Sequence, residues 1–131
     1  MLTDPIGDYL TRIRNALGAE REEVVIPSSR LKREISRILK EQGYITDFAT
    51  DQGDKGEVIR VTLRYTEARD PVIMGMERVS RPGRRRYLPS KEIPRVQGGM
   101  GTTIVSTSTG VMTGHEAKRR GVGGEVVAYV W

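Results

Sequence analysis

The apolar residues of this chain repeat with one period in its first half and another later on, and that change decides most of what it can fold into. Between Asp4 and Gly18, Ile6, Leu10, Ile13 and Leu17 recur at helical spacing, which predicts a helix with one buried stripe. Asp4 is placed to accept hydrogen bonds from the free N–H groups of the first turn. Pro5 suits the first helical position and Gly18 the stop. "EEVVIP" then reads as a short strand ended by Pro27. Ser28 or Ser29 caps a second helix, with Leu31, Ile35, Ile38 and Leu39 toward the core. Arg30, Lys32, Arg33 and Arg37 fall on its outer side, and Gly43 closes it. "YITDFAT" and "EVIRVTLRY", joined by "DQGDKG", read as a hairpin. In its second strand Ile59, Val61, Leu63 and Tyr65 share one face, and Val58, Arg60, Thr62 and Arg64 the other. The first part is therefore α-β-α-β-β, two helices over one side of a small sheet.

The polar stretch "TEARDP", residues 66–71, ends in proline and sets the expected boundary between subdomains 1–66 and 67–131. The second part holds most of the glycines and only short helical pieces. Strands are expected near 72–79, 84–88, 103–108 and 125–131. One helix is expected to begin at Ser90, and another follows Thr113 and carries Ala117, Lys118, Arg119 and Arg120. The fold class is α+β: two small subdomains, the C-terminal one mostly antiparallel β.

Twenty-two Lys and Arg against 17 Asp and Glu give a net charge of +5 and a pI near 9.8. That balance suits a polyanionic partner, although a basic soluble protein needs none. Distribution is more telling. In "RVSRPGRRRY", Arg78, Arg81, Arg84, Arg85 and Arg86 crowd one turn with no acid among them. As a merely solvated turn they would repel one another without return, so phosphate contact is the reading; guanidinium suits planar, bidentate contacts. Arg12, Arg14 and Asn15 add a basic flank beside the first helix stripe.

Enzyme and membrane readings find little. There is no cysteine, which suits a reducing cytoplasm and removes thiolate metal sites. No stretch approaches the roughly 18 apolar residues of a membrane helix, and "MLTDPIGDYL" does not read as a secretory signal. His115 is the single histidine, whereas metal sites need several ligands at set spacing. Asp4 and Asp8 suit the dipole at a helix N-terminus better than acid–base work. The glycines of "GGMG" and "GVGG" do not have nucleotide-loop spacing. No catalytic residue, metal, cofactor or small-molecule substrate is expected.

The stretch Ser106, Thr107, Ser108, Thr109, Gly110 ends a strand and turns the chain. It is either a strand running into a Ser-rich turn, or a set of hydroxyl and backbone groups for 2′-hydroxyls, phosphates and unpaired base edges of RNA. Gly121, Gly123 and Gly124 serve either as helix cap and strand entry or as a close approach to a ligand, with Glu125 as an acceptor. Tyr87 either stacks on a base or covers the sheet.

Three stretches, "DPIGDYLTRIRNA", "RVSRPGRRRY" and "STSTGVMTGHEAKRRGVGGEVVAYVW", taken in order, resemble the family of the eighth protein of the bacterial small ribosomal subunit. The resemblance spans essentially the whole chain. It implies a two-part fold and a cytoplasmic, ribosomal location. It also implies primary binding to the central domain of 16S ribosomal RNA, beside neighbouring ribosomal proteins, in assembly of the platform. On this likeness Ser106, Thr107 and Ser108 meet a distorted, non-duplex RNA element, Gly124 and Glu125 line the same site, and Tyr87 flanks it. Thr3, Asp4, Ser29 and Lys32 touch a second stretch of the RNA. Thr109 stands where the family usually has lysine, which removes a cation. Gly114 and His115 stand where it usually has Asp and Arg, which weakens a helix cap. Some members also repress their own operon by binding a messenger RNA that mimics the ribosomal site, the alternative function here. The expected mechanism has two layers. Arg78, Arg81, Arg84, Arg85 and the flank with Arg14 and Asn15 draw in the RNA backbone. The hydroxyl turn and the Gly124–Glu125 strand entry then read local shape.

Overall fold

The structure, a computed structural model, describes residues 3–131. It divides into two compact units, residues 8–73, and residues 3–7 together with 74–131. Both of its sheets are antiparallel.

Helix α1 spans Pro5–Gly18, and from Asp8 onward it belongs to the first unit. There β1 (Glu23–Pro27), α2 (Arg30–Glu41), β2 (Ile45–Gly53) and β3 (Gly56–Leu63) follow, with sheet order β1-β3-β2. The stripes read from the sequence are buried: Leu10, Ile13 and Leu17 on α1, Ile35, Ile38 and Leu39 on α2, and Ile59, Val61 and Leu63 on β3. Tyr9 and Ala16 join them, widening the α1 stripe beyond the expected row. Tyr9 is buried despite its hydroxyl because that group lies 2.7 Å from Ser36 Oγ on α2. Ser36 in turn donates its proton to the Lys32 carbonyl at 2.8 Å. Ser36 has one proton, so Tyr9 is the donor between the two.

Local chemistry sets the ends of α2. Ser29 is the cap, its Oγ accepting from the Lys32 N–H at 3.2 Å, while Ser28 donates to Glu57 at 2.7 Å. Lys32, expected on the outer side, is buried, and its ammonium donates to the Pro27 carbonyl at 3.0 Å. After the helix, the Tyr44 N–H returns to the Leu39 carbonyl at 2.8 Å. The β2–β3 hairpin is tighter than "DQGDKG" suggested, since Gly53 already pairs with Gly56.

The polar segment 66–71 does not leave this unit. Tyr65 bridges to Pro71, the Val72 N–H donates to the Arg64 carbonyl at 3.1 Å, and the Tyr65 hydroxyl donates to the Arg21 carbonyl at 2.6 Å. Arg69 stacks over the Tyr65 ring at 4.4 Å and pairs with Glu22. These contacts fold the segment back, so the units meet at residue 73, not at 66.

The second unit contains β4 (Met76–Arg78), β5 (Tyr87–Leu88), β6 (Thr102–Thr107), β7 (Gly110–Thr113), α3 (Gly114–Arg120) and β8 (Gly124–Val130). Its sheet runs β4-β8-β6-β7, with β5 also on β8. Strand β7 was not expected, because the hydroxyl run reads as the end of one strand with a turn at Gly110; it returns along β6 with Thr107 opposite Gly110. The helix expected at Ser90 is a single 3-10 turn, Ser90–Glu92, hemmed by Pro89 and Pro94. Ile93, Val105, Met112 and Ala117 form a core cluster. Ile104 faces Ala128 while Val105 faces Val126, so Val127 is a bulged residue in β8.

The donor order in the first unit has a measurable consequence. Ser36→Ala leaves the Tyr9 hydroxyl buried without an acceptor, whereas Tyr9→Phe leaves Ser36 still donating to Lys32. Urea unfolding is expected to show a loss of about 2 kcal/mol for Ser36→Ala and of about 1 kcal/mol or less for Tyr9→Phe. The reverse order would refute the assigned donors.

Candidate RNA interface

Across β5, β8 and β6, Tyr87 lies opposite Glu125 and Glu125 opposite Ser106. Directly opposed residues of antiparallel strands share a face, so three expected site residues, far apart in the chain, stand side by side. The row depends on Gly124. A side chain there would run into the Ser106 carbonyl and the Thr107 backbone, so only glycine lets the start of β8 lie so close to β6. Tyr87 is 68% exposed and does not cover the sheet. Gly121 has a separate task, ending α3 in the left-handed region at φ 69°.

Beyond this row the β6–β7 hairpin projects its tip. Ser108, Thr109 and Gly110 are exposed, and Gly110 carries the positive φ, 127°. Thr107 holds the turn: its Oγ1 donates to the Gly110 carbonyl at 2.7 Å and accepts from the Thr109 N–H at 3.2 Å.

The arginine turn is closed by a pair of backbone bonds between Arg81 and Arg84, of 3.2 and 2.8 Å. Arg81, Arg84, Arg85 and Arg86 are exposed. Its anchor is Ser80, which the sequence reading missed. Ser80 is fully buried, donates to Glu125 Oε2 and accepts from the Arg86 N–H at 3.2 Å. Arg85 reaches the same Oε2 at 3.0 Å. Glu125 thus ties the turn to the row on β8. No local motif signals a partner 45 residues away.

Arg78 differs from its neighbours. Its Nε and Nη2 hold the Asp4 carboxylate, with Nε to Oδ2 at 3.2 Å, and its Nη1 donates to the Val127 carbonyl at 2.7 Å, at the bulge. Its side chain is only 10% exposed. Partial burial raises the Asp4 carboxyl pKa, but the Arg78 hydrogen bonds, the Gly7 amide and the charges of Arg78 and Arg81 outweigh it and hold the pKa below the ordinary 3.8.

Charge is unevenly shared. Residues 8–73 hold twelve basic and twelve acidic side chains, whereas the other unit holds ten basic and five acidic, so the whole net charge of +5 sits there. In the first unit Arg12, Arg33, Arg37, Lys40, Arg60 and Arg69 all make ion pairs. Arg14 and Asn15 are exposed there. Ser29 and Lys32 belong to the first unit, and Thr3 and Asp4 to the second. In the second unit Arg81, Arg84 and Arg86 make no ion pair among the described residues. Arg119 and Arg120 both bond Glu116 and bring its carboxyl down to about 2. The start of α3 is not weakened as expected from Gly114, because Thr113 supplies the cap, its Oγ1 accepting from the Glu116 N–H at 3.1 Å. A side chain at 114 would press on Ile93 and Thr103.

Because the folded Asp4 pKa lies below 3.8, its ionised form stabilises the fold above that pH, and the contribution disappears as pH falls through the folded value. Unfolding midpoints of the wild type and Asp4→Asn are expected to differ at pH 7, by about 1 kcal/mol, and to converge below pH 3.8. A constant difference across that range would contradict the Asp4–Arg78 assignment.

Comparison with known proteins shows the family. The sequence model of the family Ribosomal protein S8 matches residues 4–131. The chain is 51% identical over 131 residues to the small ribosomal subunit protein uS8 of Thermodesulfovibrio yellowstonii, covering 100% of both chains. It is 50% identical to that of Lacticaseibacillus casei and 49% identical to that of Latilactobacillus sakei, covering 100% of this chain and 99% of each relative. With the family's sequence pattern running from Asp4 to the last residue, this chain belongs to the ribosomal protein S8 family.

Proposed function

We propose that this protein, a structural constituent of the small ribosomal subunit, binds the central domain of 16S ribosomal RNA through the β5–β8–β6 row and the two projecting turns. The observation that carries the reading is the row Tyr87, Glu125, Ser106, set in the unit that holds all the net positive charge. Arg81, Arg84 and Arg86, without ion pairs of their own, supply counterion-releasing contacts to phosphate. Tyr87 offers a ring for an unstacked base, and Ser106 and Ser108 offer hydroxyls to 2′-hydroxyls and base edges. Thr107 keeps the tip in shape. Arg78 and Asp4 act one step back, bracing the start of α1 against the β8 bulge. A messenger RNA folding to the same local shape would meet the same groups. In the other unit Ser29, which also caps α2, would touch a second stretch of the RNA, and Arg14 and Asn15 would draw in its backbone; Lys32, buried on the Pro27 carbonyl, is not placed to do so.

Filter binding of a central-domain transcript against a transcript of equal length from another domain, at several salt concentrations, tests this. The wild type is expected to prefer the central domain. Arg84→Ala is expected to weaken both RNAs and lower the salt slope by about one. Ser108→Ala is expected to weaken only the preferred RNA and leave the slope unchanged. Glu125→Ala releases Ser80 and Arg85 together, so it should change preference and slope at once. Equal binding of the two transcripts by the wild type would contradict the reading.

A further inference from the structure

The hydroxyls at the hairpin tip are not equivalent. Thr107 Oγ1 has one proton, and it goes to the Gly110 carbonyl, which can only accept. Thr107 Oγ1 and Thr109 Oγ1 lie 3.2 Å apart. With the Thr107 proton committed, the proton between the two belongs to Thr109. Thr107 Oγ1 therefore accepts from both the hydroxyl and the N–H of Thr109, while donating to Gly110. That is the full capacity of a hydroxyl, one donor and two acceptor positions. Thr109 is exposed, and with its proton turned inward it offers outward only lone pairs. Ser108, beside it, makes no hydrogen bond among the described residues, so its hydroxyl is able both to donate and to accept.

We propose that Thr109 is a specificity-determining residue at the tip: its Oγ1 accepts a hydrogen bond from an RNA donor group and discriminates against a phosphate oxygen. The inference rests on the RNA-binding reading above and adds to it the chemical class of the group that Thr109 meets. A phosphate oxygen only accepts and cannot pair with an oxygen whose proton is already used. A ribose 2′-hydroxyl and the exocyclic amine of a base are donors and can. At this position, then, the tip selects ribose or base and does not add a backbone contact. Thr107 is a positioning residue in this scheme, because it acts on RNA only by orienting Thr109.

The test uses the full-length protein and a central-domain 16S transcript in filter binding, with Thr109→Val, Thr109→Ser and Thr107→Val as variants. Circular dichroism melting establishes that each variant is folded. Thr109→Val is expected to bind about fivefold more weakly, the scale of one lost hydrogen bond, with the wild-type salt slope. Thr109→Ser is expected to restore binding. Interference mapping with single 2′-deoxy substitutions, and separately with amine-deleted bases, is expected to find one RNA position at which modification weakens the wild type but not Thr109→Val. Which series contains it identifies the donor as hydroxyl or amine. Thr107→Val is expected to weaken the effect of that same modification. Binding by Thr109→Val equal to the wild type, a salt slope lowered by about one, or the absence of such a position would each overturn the proposal while leaving specific binding intact. If the wild type itself failed to prefer the transcript, the RNA-binding reading would fall first and this proposal with it.

Discussion

Strand β8 has partners on both edges, with β6 along one side and β4 and β5 along the other, and it enters the sheet at a glycine with no room for a side chain. That close passage is the constraint on which the candidate interface depends. Were residue 124 to carry a Cβ, the Ser106 carbonyl would have to move, and the register placing Ser106 and Tyr87 on either side of Glu125 would go with it. Three residues from three strands present one surface because two backbones touch where a side chain is missing.

Around this passage, buried polar groups convert a sheet into two aimed projections. Ser80 and Glu125 hold the arginine turn at its base, so the guanidinium groups of Arg81, Arg84 and Arg86 project from a fixed loop. Thr107 does the same for the hairpin tip. Preorganisation of this sort lowers the ordering cost on binding, which matters for arginine, whose side chain has much rotamer freedom to lose. The other unit, electrically balanced and with half of its twelve cations in ion pairs, carries its stability in the apolar stripes of α1, α2 and β3.

The fold was legible wherever periodicity spoke. Both long helices, their stripes, the β2–β3 hairpin and the last strand stand where the residue pattern put them. Strand β7 was hidden because a hydroxyl run ending at a glycine reads as a strand running out into a turn until Gly110 pairs back to Thr107. Lys32 was placed outside by its charge, yet the Pro27 carbonyl gives its ammonium a partner within the fold. The candidate site was legible as residue types, and their placement in the fold was only partly so. The clustering of arginines in one turn pointed to phosphate, while the hydroxyl and glycine runs left a structural and an RNA reading side by side. Arg78 differs from the arginines near it only because Asp4, 74 residues away, lies beside it. Ser80 carries no signal at all, since a serine between valine and arginine becomes an anchor only when Glu125 arrives.

The grip proposed for this protein is confined and shape-dependent, on one RNA element, by the unit that carries the net charge. Hydroxyl-radical footprinting of the purified protein on full-length 16S ribosomal RNA at moderate ionic strength tests this most directly. Protection confined to a distorted helix of the central domain, reduced for Ser108→Ala, is the result predicted here; weak protection scattered along many helices, unchanged by that substitution, would contradict it.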